Sequence, residues 1–98
     1  MEREIAWDDG ALINFEKALD WISDDSLMQA ENVESAILTN LDMALEDPER
    51  FGLDRFKVDN DGTYRAFETH SYRLAFTYDD EKLKILRFRH VRQEPEFY

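Results

Sequence analysis

The sequence predicts an α+β domain: a short N-terminal strand and an antiparallel helical hairpin covering one face of a mainly antiparallel β-sheet. Three observations predict it. Apolar residues recur at helical spacing from Ala11 to Ala44, with one polar interruption at residues 23–26. Residues 71–78 alternate strictly, with Tyr72, Leu74, Phe76 and Tyr78 on one face and Ser71, Arg73, Ala75 and Thr77 on the other. Two acidic clusters, Asp59-Asn60-Asp61-Gly62 and Asp79-Asp80-Glu81, supply turn chemistry between the apolar runs of the second half.

The elements follow in order. Residues 3–7 form a short strand candidate ended by Asp8, Asp9 and Gly10, where an aspartate can cap the next helix by accepting a bond from a free backbone N–H. Residues 11–23 read as an amphipathic helix through Ala11, Phe15, Ala18 and Ile22, widened by Leu12 and Leu19. After Ser23-Asp24-Asp25-Ser26 a longer helix runs through Ala30, Val33, Ile37, Leu41 and Ala44, and Pro48 and Gly52 end it. Helices joined by so short a link lie antiparallel and need a cover for their apolar face. Strand candidates at Phe56, Lys57 and Val58, at residues 63–67, at residues 71–78 and at residues 82–91 provide it.

At 98 residues the chain makes a single domain, 1–98, with 43% hydrophobic and 13% aromatic residues, enough for one core. No apolar run reaches the roughly 18–20 residues of a membrane span, and the acidic start, MEREIAWDD, does not read as a signal peptide. With no cysteine, disulfides and thiolate metal sites are excluded, and the expected location is the cytoplasm.

Charge divides the molecule. The net charge is −11, yet residues 1–50 hold 14 acids and 3 bases whereas residues 51–98 hold 9 of each. All the excess negative charge lies in the helical half. Near the C-terminus, Lys84, Arg87, Arg89, His90 and Arg92 precede the next acid, Glu94. Two faces with different partners are implied: one acidic, and one able to meet a polyanion. The simplest alternative for the acidic half is a solvated helical surface.

The acid clusters are read as caps and turns. Asp59-Asn60-Asp61-Gly62 opens like a calcium loop but lacks the later ligands and the closing glutamate, so a hairpin turn is expected and no metal. Nothing in the residue pattern calls for a cofactor. The arginines carry more information. If residues 68–70 form a three-residue loop, Arg65 faces Arg73 and both guanidiniums share one surface; a two-residue loop puts them on opposite faces. Adjacent arginines repel unless exposed or bridged by an anion. Leu86, Phe88, His90 and Arg92 share a face of the last strand and would bring His90 and Arg92 to the same region. Tyr98 would fray as a terminal residue, although Pro95, Phe97 and Tyr98 are costly to leave solvated.

Taken together, the hairpin with WISDDS at its bend, then FGLDRF, YRAFETHSYRLAFTY and ILRFRHVRQEPEFY, resembles the RelE/ParE superfamily of type II toxin–antitoxin toxins over essentially the whole chain. The resemblance implies two mechanisms. In the ribosome-dependent, metal-independent endoribonuclease branch, a 2′-hydroxyl attacks the adjacent phosphodiester of mRNA, which needs a base, an acid and cations for the developing charge. By that resemblance Arg73, His90, Arg92 and Tyr98 would be catalytic, and Arg65, Arg87 and Arg89 would bind RNA phosphates. Phe67 stands where a second basic residue is expected. Tyr98 would act as base only with its pKa lowered by guanidiniums, whereas His90 needs less help.

The other branch inhibits DNA gyrase and carries a longer hairpin, as this chain does. The long hairpin leans toward gyrase, and Phe67 and the net charge count against binding ribosomal RNA, but the arginine set makes an mRNA interferase the first reading. A third implication is a non-toxic, partner-binding member. In every case a cognate antitoxin is the expected partner, together with the ribosome and mRNA or with gyrase, and the oligomeric state is left open.

Overall fold

The computed structural model describes residues 3–98. Strand β1 (Glu4–Trp7) leads into helix α1 (Asp9–Asp25) and helix α2 (Leu27–Glu46), followed by a short 3-10 turn at Pro48–Arg50. After a long irregular segment come β2 (Arg65–Thr69), β3 (Tyr72–Tyr78) and β4 (Lys82–His90). The sheet order is β1-β4-β3-β2, with β1 parallel to β4 and the other pairings antiparallel. The α+β class and the hairpin-on-sheet architecture are those read from the sequence.

The helices start and stop for local reasons. Asp8 accepts from the backbone N–H groups of Gly10 and Ala11 and caps α1. Ser26 serves both helices: its N–H closes α1 on the Ile22 carbonyl, and its side chain accepts from the Gln29 N–H at the start of α2. The link is thus one residue, narrower than the interruption at residues 23–26. At the far end of α2, Arg3 donates to the Leu45 carbonyl at 3.0 Å and to the Asp79 carbonyl at 2.7 Å. It meets one of the carbonyls that a helix C-terminus leaves unpaired and ties it to the β3–β4 turn.

The core lies between hairpin and sheet. Ala11, Phe15, Val33, Ile37, Leu41 and Ala44 pack against Phe67, Tyr72, Leu74, Phe76, Leu83, Ile85 and Phe88. Ile37, Leu74, Phe76, Leu83 and Ile85 are fully buried. Trp7 stacks on Phe15 with ring centroids 5.1 Å apart, and Phe15 meets Phe88 edge-on at 5.2 Å, clamping α1 to the sheet.

Two register features decide which side chains share a face. The β2–β3 turn has two residues, His70 and Ser71, both left-handed at φ 52° and 69°. Glu68 therefore faces Arg73, and Arg65 faces Phe76. In β4, Ala75 pairs with Arg87 but Phe76 pairs with Ile85, so Leu86 is an extra residue. This bulge reverses the in–out alternation. Leu83 and Ile85 point to the helices before it, and Phe88 and His90 do so after it.

Residues 51–64 do not follow the sequence reading. Phe56, Lys57 and Val58 are not a sheet strand, and Asp59–Gly62 is a turn within a covering loop, not a hairpin turn. The loop folds across the sheet face opposite the helices, attached where the Thr63 and Thr77 hydroxyls meet at 2.9 Å. Residues 56–58, in turns, find their partner at the C-terminus: the Tyr98 N–H donates to the Phe56 carbonyl at 3.0 Å, and the Val58 N–H donates to the Tyr98 carbonyl at 2.6 Å. Both faces of β3 are consequently covered, which its alternating pattern alone does not announce.

Candidate functional site

The covered outer face of the sheet is built around Arg73. Its position as the second residue of β3, pointing away from the hairpin, follows from the alternation of that strand. One guanidinium nitrogen meets Asp54 at 2.8 Å and another meets Glu68 at 2.8 Å. Arg73 is only 7% exposed and Asp54 only 2%. Burying such a pair costs desolvation, which the structure offsets by meeting every oxygen of the carboxylate. Asp54 Oδ1 also accepts from the Phe56 N–H at 3.2 Å, and Oδ2 accepts from the Tyr98 hydroxyl at 2.6 Å. Burial works to push the Asp54 carboxyl up, but the donors Tyr98, Arg73 and Phe56 outweigh it, and its pKa falls below the usual carboxylate value.

Tyr98 is the counterpart. Burial, the hydrogen bond to Asp54 and that residue's negative charge push its phenol well above 10.0, and the nearby Arg87 only partly opposes them. The proton stays on the phenol and is shared with Asp54. The Arg87 guanidinium lies over the Tyr98 ring, 4.0 Å from its centroid, and donates to the Glu96 carbonyl at 2.6 Å. Arg89 covers the Phe56 ring at 5.2 Å and donates to the Gln93 carbonyl at 3.1 Å. Phe97 meets Phe56 at 5.5 Å. The tail is thus a strap lying on the sheet, and the space left among Asp54, Phe56, Arg73, Arg87 and Tyr98 is about 10 Å³, room for about one water molecule.

The sequence-expected residues separate into two groups. Arg73, Arg87, Arg89 and Tyr98 come together on the outer face. Arg65 does not join them. The two-residue turn sets it on the other face, where it donates to the carbonyls of Gly62, Glu49 and Phe51 at 3.0, 3.2 and 2.8 Å and holds the start of the covering loop. His90 is also turned away, by the Leu86 bulge. Its ring stands edge-on to Tyr72 at 5.2 Å, and its Nδ1 accepts from the Arg92 N–H at 3.0 Å. Arg92 itself is exposed in the tail. Phe67 is buried in the core beside Phe51. The condition set for Tyr98 as a base, a lowered pKa, is not met in this arrangement.

Asp54 and Glu68 escaped the sequence reading. Glu68 is visible only once the turn length is known. Asp54 had no local signal, since its neighbours Leu53 and Arg55 are exposed. No group of three or more metal-ligating side chains occurs among the described residues, and no helix there is long and apolar enough to cross a membrane.

A helical hairpin on one face of a four-stranded sheet is the fold of this chain, and the match to a toxin family model makes it a toxin of the RelE/ParE superfamily. The model of the family described as "ParE toxin of type II toxin-antitoxin system, parDE" matches residues 5–95, and the chain belongs to that family. Among solved structures it is similar to a chain of the "Chromosomal ParDE TA system from P. aeruginosa", with a TM-score of 0.65 at 14% identity, covering 90% of this chain and 95% of that one. No curated protein matches it. The family makes the protein a toxin component of a type II system and implies a cognate antitoxin as its partner.

Proposed function

We propose that this toxin arrests growth by binding and inhibiting DNA gyrase, and that a small cognate antitoxin neutralises it. The observation that carries the reading is the neutralised state of Arg73, held by Asp54 and Glu68. Phosphodiester cleavage needs an available cation and a group that takes the hydroxyl proton. Here the strand arginine is already paired, the tyrosine keeps its proton and donates it in a hydrogen bond to Asp54, and the strand histidine faces the hairpin. Membership in the ParE family supports the same branch. The preference for an mRNA interferase read from the arginine set is therefore reversed.

One observation favours the ribonuclease as a second reading. Arg87 and Arg89 donate to backbone carbonyls and not to carboxylates, so a lifted tail would free two cations for RNA phosphates. In that reading Arg73 and Tyr98 keep the catalytic roles the resemblance implies, with Arg87 and Arg89 on the phosphates and Arg92 in the lifted tail, whereas Arg65 and His90 lie on the other side of the sheet and take no part.

The class is tested by inducing the protein alone in bacteria and then together with the small gene beside its own. Arrest by the first and rescue by the second are expected. Normal growth at confirmed soluble expression would leave the non-toxic, partner-binding alternative.

A further inference from the structure

We propose that the bend of the helical hairpin, centred on Trp21, is the surface with which the toxin docks on a basic, nucleic-acid-handling surface of its protein target. The inference rests on the gyrase reading and names the part of the toxin that carries it.

Trp21 is 74% exposed, and Leu27 and Met28 beside the bend are 65% and 69% exposed. The core does not need Trp21, because its neighbours Ala18 and Ile22 supply the inward contacts of this turn of α1. A large aromatic left in water, next to two more apolar side chains, is the composition of an interface centre. The surroundings are shaped to receive side chains. Trp21 stands between three open hollows of about 480, 350 and 470 Å³. The first has Val33 and Tyr72 in its wall, and the third is rimmed by Asp24, Asp25 and Gln29.

Charge selects the occupant. Helices α1 and α2 carry nine acids and Lys17 as their sole base. Asp20, Asp24 and Asp25 are exposed around the bend, with Lys17 and Arg89 confined to the sheet-side hollow. A partner fitting this surface brings an apolar side chain to Trp21 and lysines or arginines to the bend. Proteins that handle nucleic acids present such cations, since they neutralise phosphates. The net charge of −11 repels a nucleic acid at long range, and for the same reason attracts the surface that binds one.

The test measures binding of the full chain to purified DNA gyrase holoenzyme at low and high salt. Trp21→Ala and the double charge reversal Asp24→Lys/Asp25→Lys are compared with the wild type, their folds checked by thermal melting. Loss of a central aromatic anchor predicts roughly 30-fold weaker binding for W21A. The double reversal should weaken binding and flatten its salt dependence. Wild-type binding left unchanged in both variants would overturn this docking surface while the gyrase reading stands. A W21A toxin that still inhibits gyrase but no longer binds its antitoxin would overturn it too, assigning the surface to the antitoxin. If the wild type itself fails to bind gyrase, the functional reading falls and the docking proposal with it.

Discussion

The Tyr98 hydroxyl donates to Asp54 Oδ2 at 2.6 Å, joining the C-terminal residue to a buried carboxylate 44 positions earlier. Asp54 in turn holds Arg73, so the strap, the covering loop and the central strand close into one polar knot. Tyr98→Phe keeps the ring under Arg87 and removes only the hydroxyl. A hydrogen bond to a charged, buried acceptor predicts a loss of about 2 kcal/mol in urea-unfolding free energy. An unchanged midpoint would mean that the strap is not held through this contact.

Arg73→Ala leaves Asp54 buried without its cation and should cost about 3–5 kcal/mol. Replacing both partners, Arg73→Met with Asp54→Asn, should recover most of that loss, because no uncompensated charge remains. Equilibrium unfolding of the single and double variants decides it. A fully stable Arg73→Ala protein would contradict the structural role given to this arginine.

The pH profile follows from opposite shifts in the same pair. The Asp54 carboxyl is lowered in the folded state, so its contribution to stability is present above the ordinary value of 3.8 and declines as pH falls from there through the folded value. The Tyr98 phenol is raised, so its contribution is complete below 10.0 and is lost as pH climbs past that value. Thermal midpoints measured against pH should fall at both ends. Tyr98→Phe should soften the alkaline fall without abolishing it, because burial also raises Tyr72 and Tyr78. An unaltered alkaline limb in that variant would contradict the assignment.

The two-residue turn is strained at both positions, with left-handed φ at His70 and Ser71. Ser71→Gly removes a side chain from a backbone conformation that glycine adopts freely, and should stabilise the protein by about 0.5–1 kcal/mol, or a few degrees in Tm. A lowered Tm would show that the Ser71 side chain makes a compensating contribution.

The helical hairpin was legible because its apolar stripe repeats over many turns and Ser26 punctuates it. The inner face of β3 was legible for the same reason at period two. The site was not, because its composition depends on counts of single residues. One residue fewer in the β2–β3 turn sends Arg65 to the far face, and one extra at Leu86 sends His90 after it. Phe56, Lys57 and Val58 carry a strand-like pattern, but pair with a tail that no local signal connects to them. Asp54 shows the same limit: it is buried between exposed Leu53 and Arg55, and its partners Arg73 and Tyr98 lie 19 and 44 residues away.

The most direct measurement of the central claim is DNA supercoiling by purified gyrase in the presence of the purified toxin, paired with mapping of mRNA ends in induced cells. Blocked supercoiling with broken DNA trapped on gyrase, and mRNA left intact, is the predicted result. Undisturbed supercoiling together with codon-phased cuts in ribosome-bound mRNA would contradict it, and would return Arg87 and Arg89 to the service of RNA.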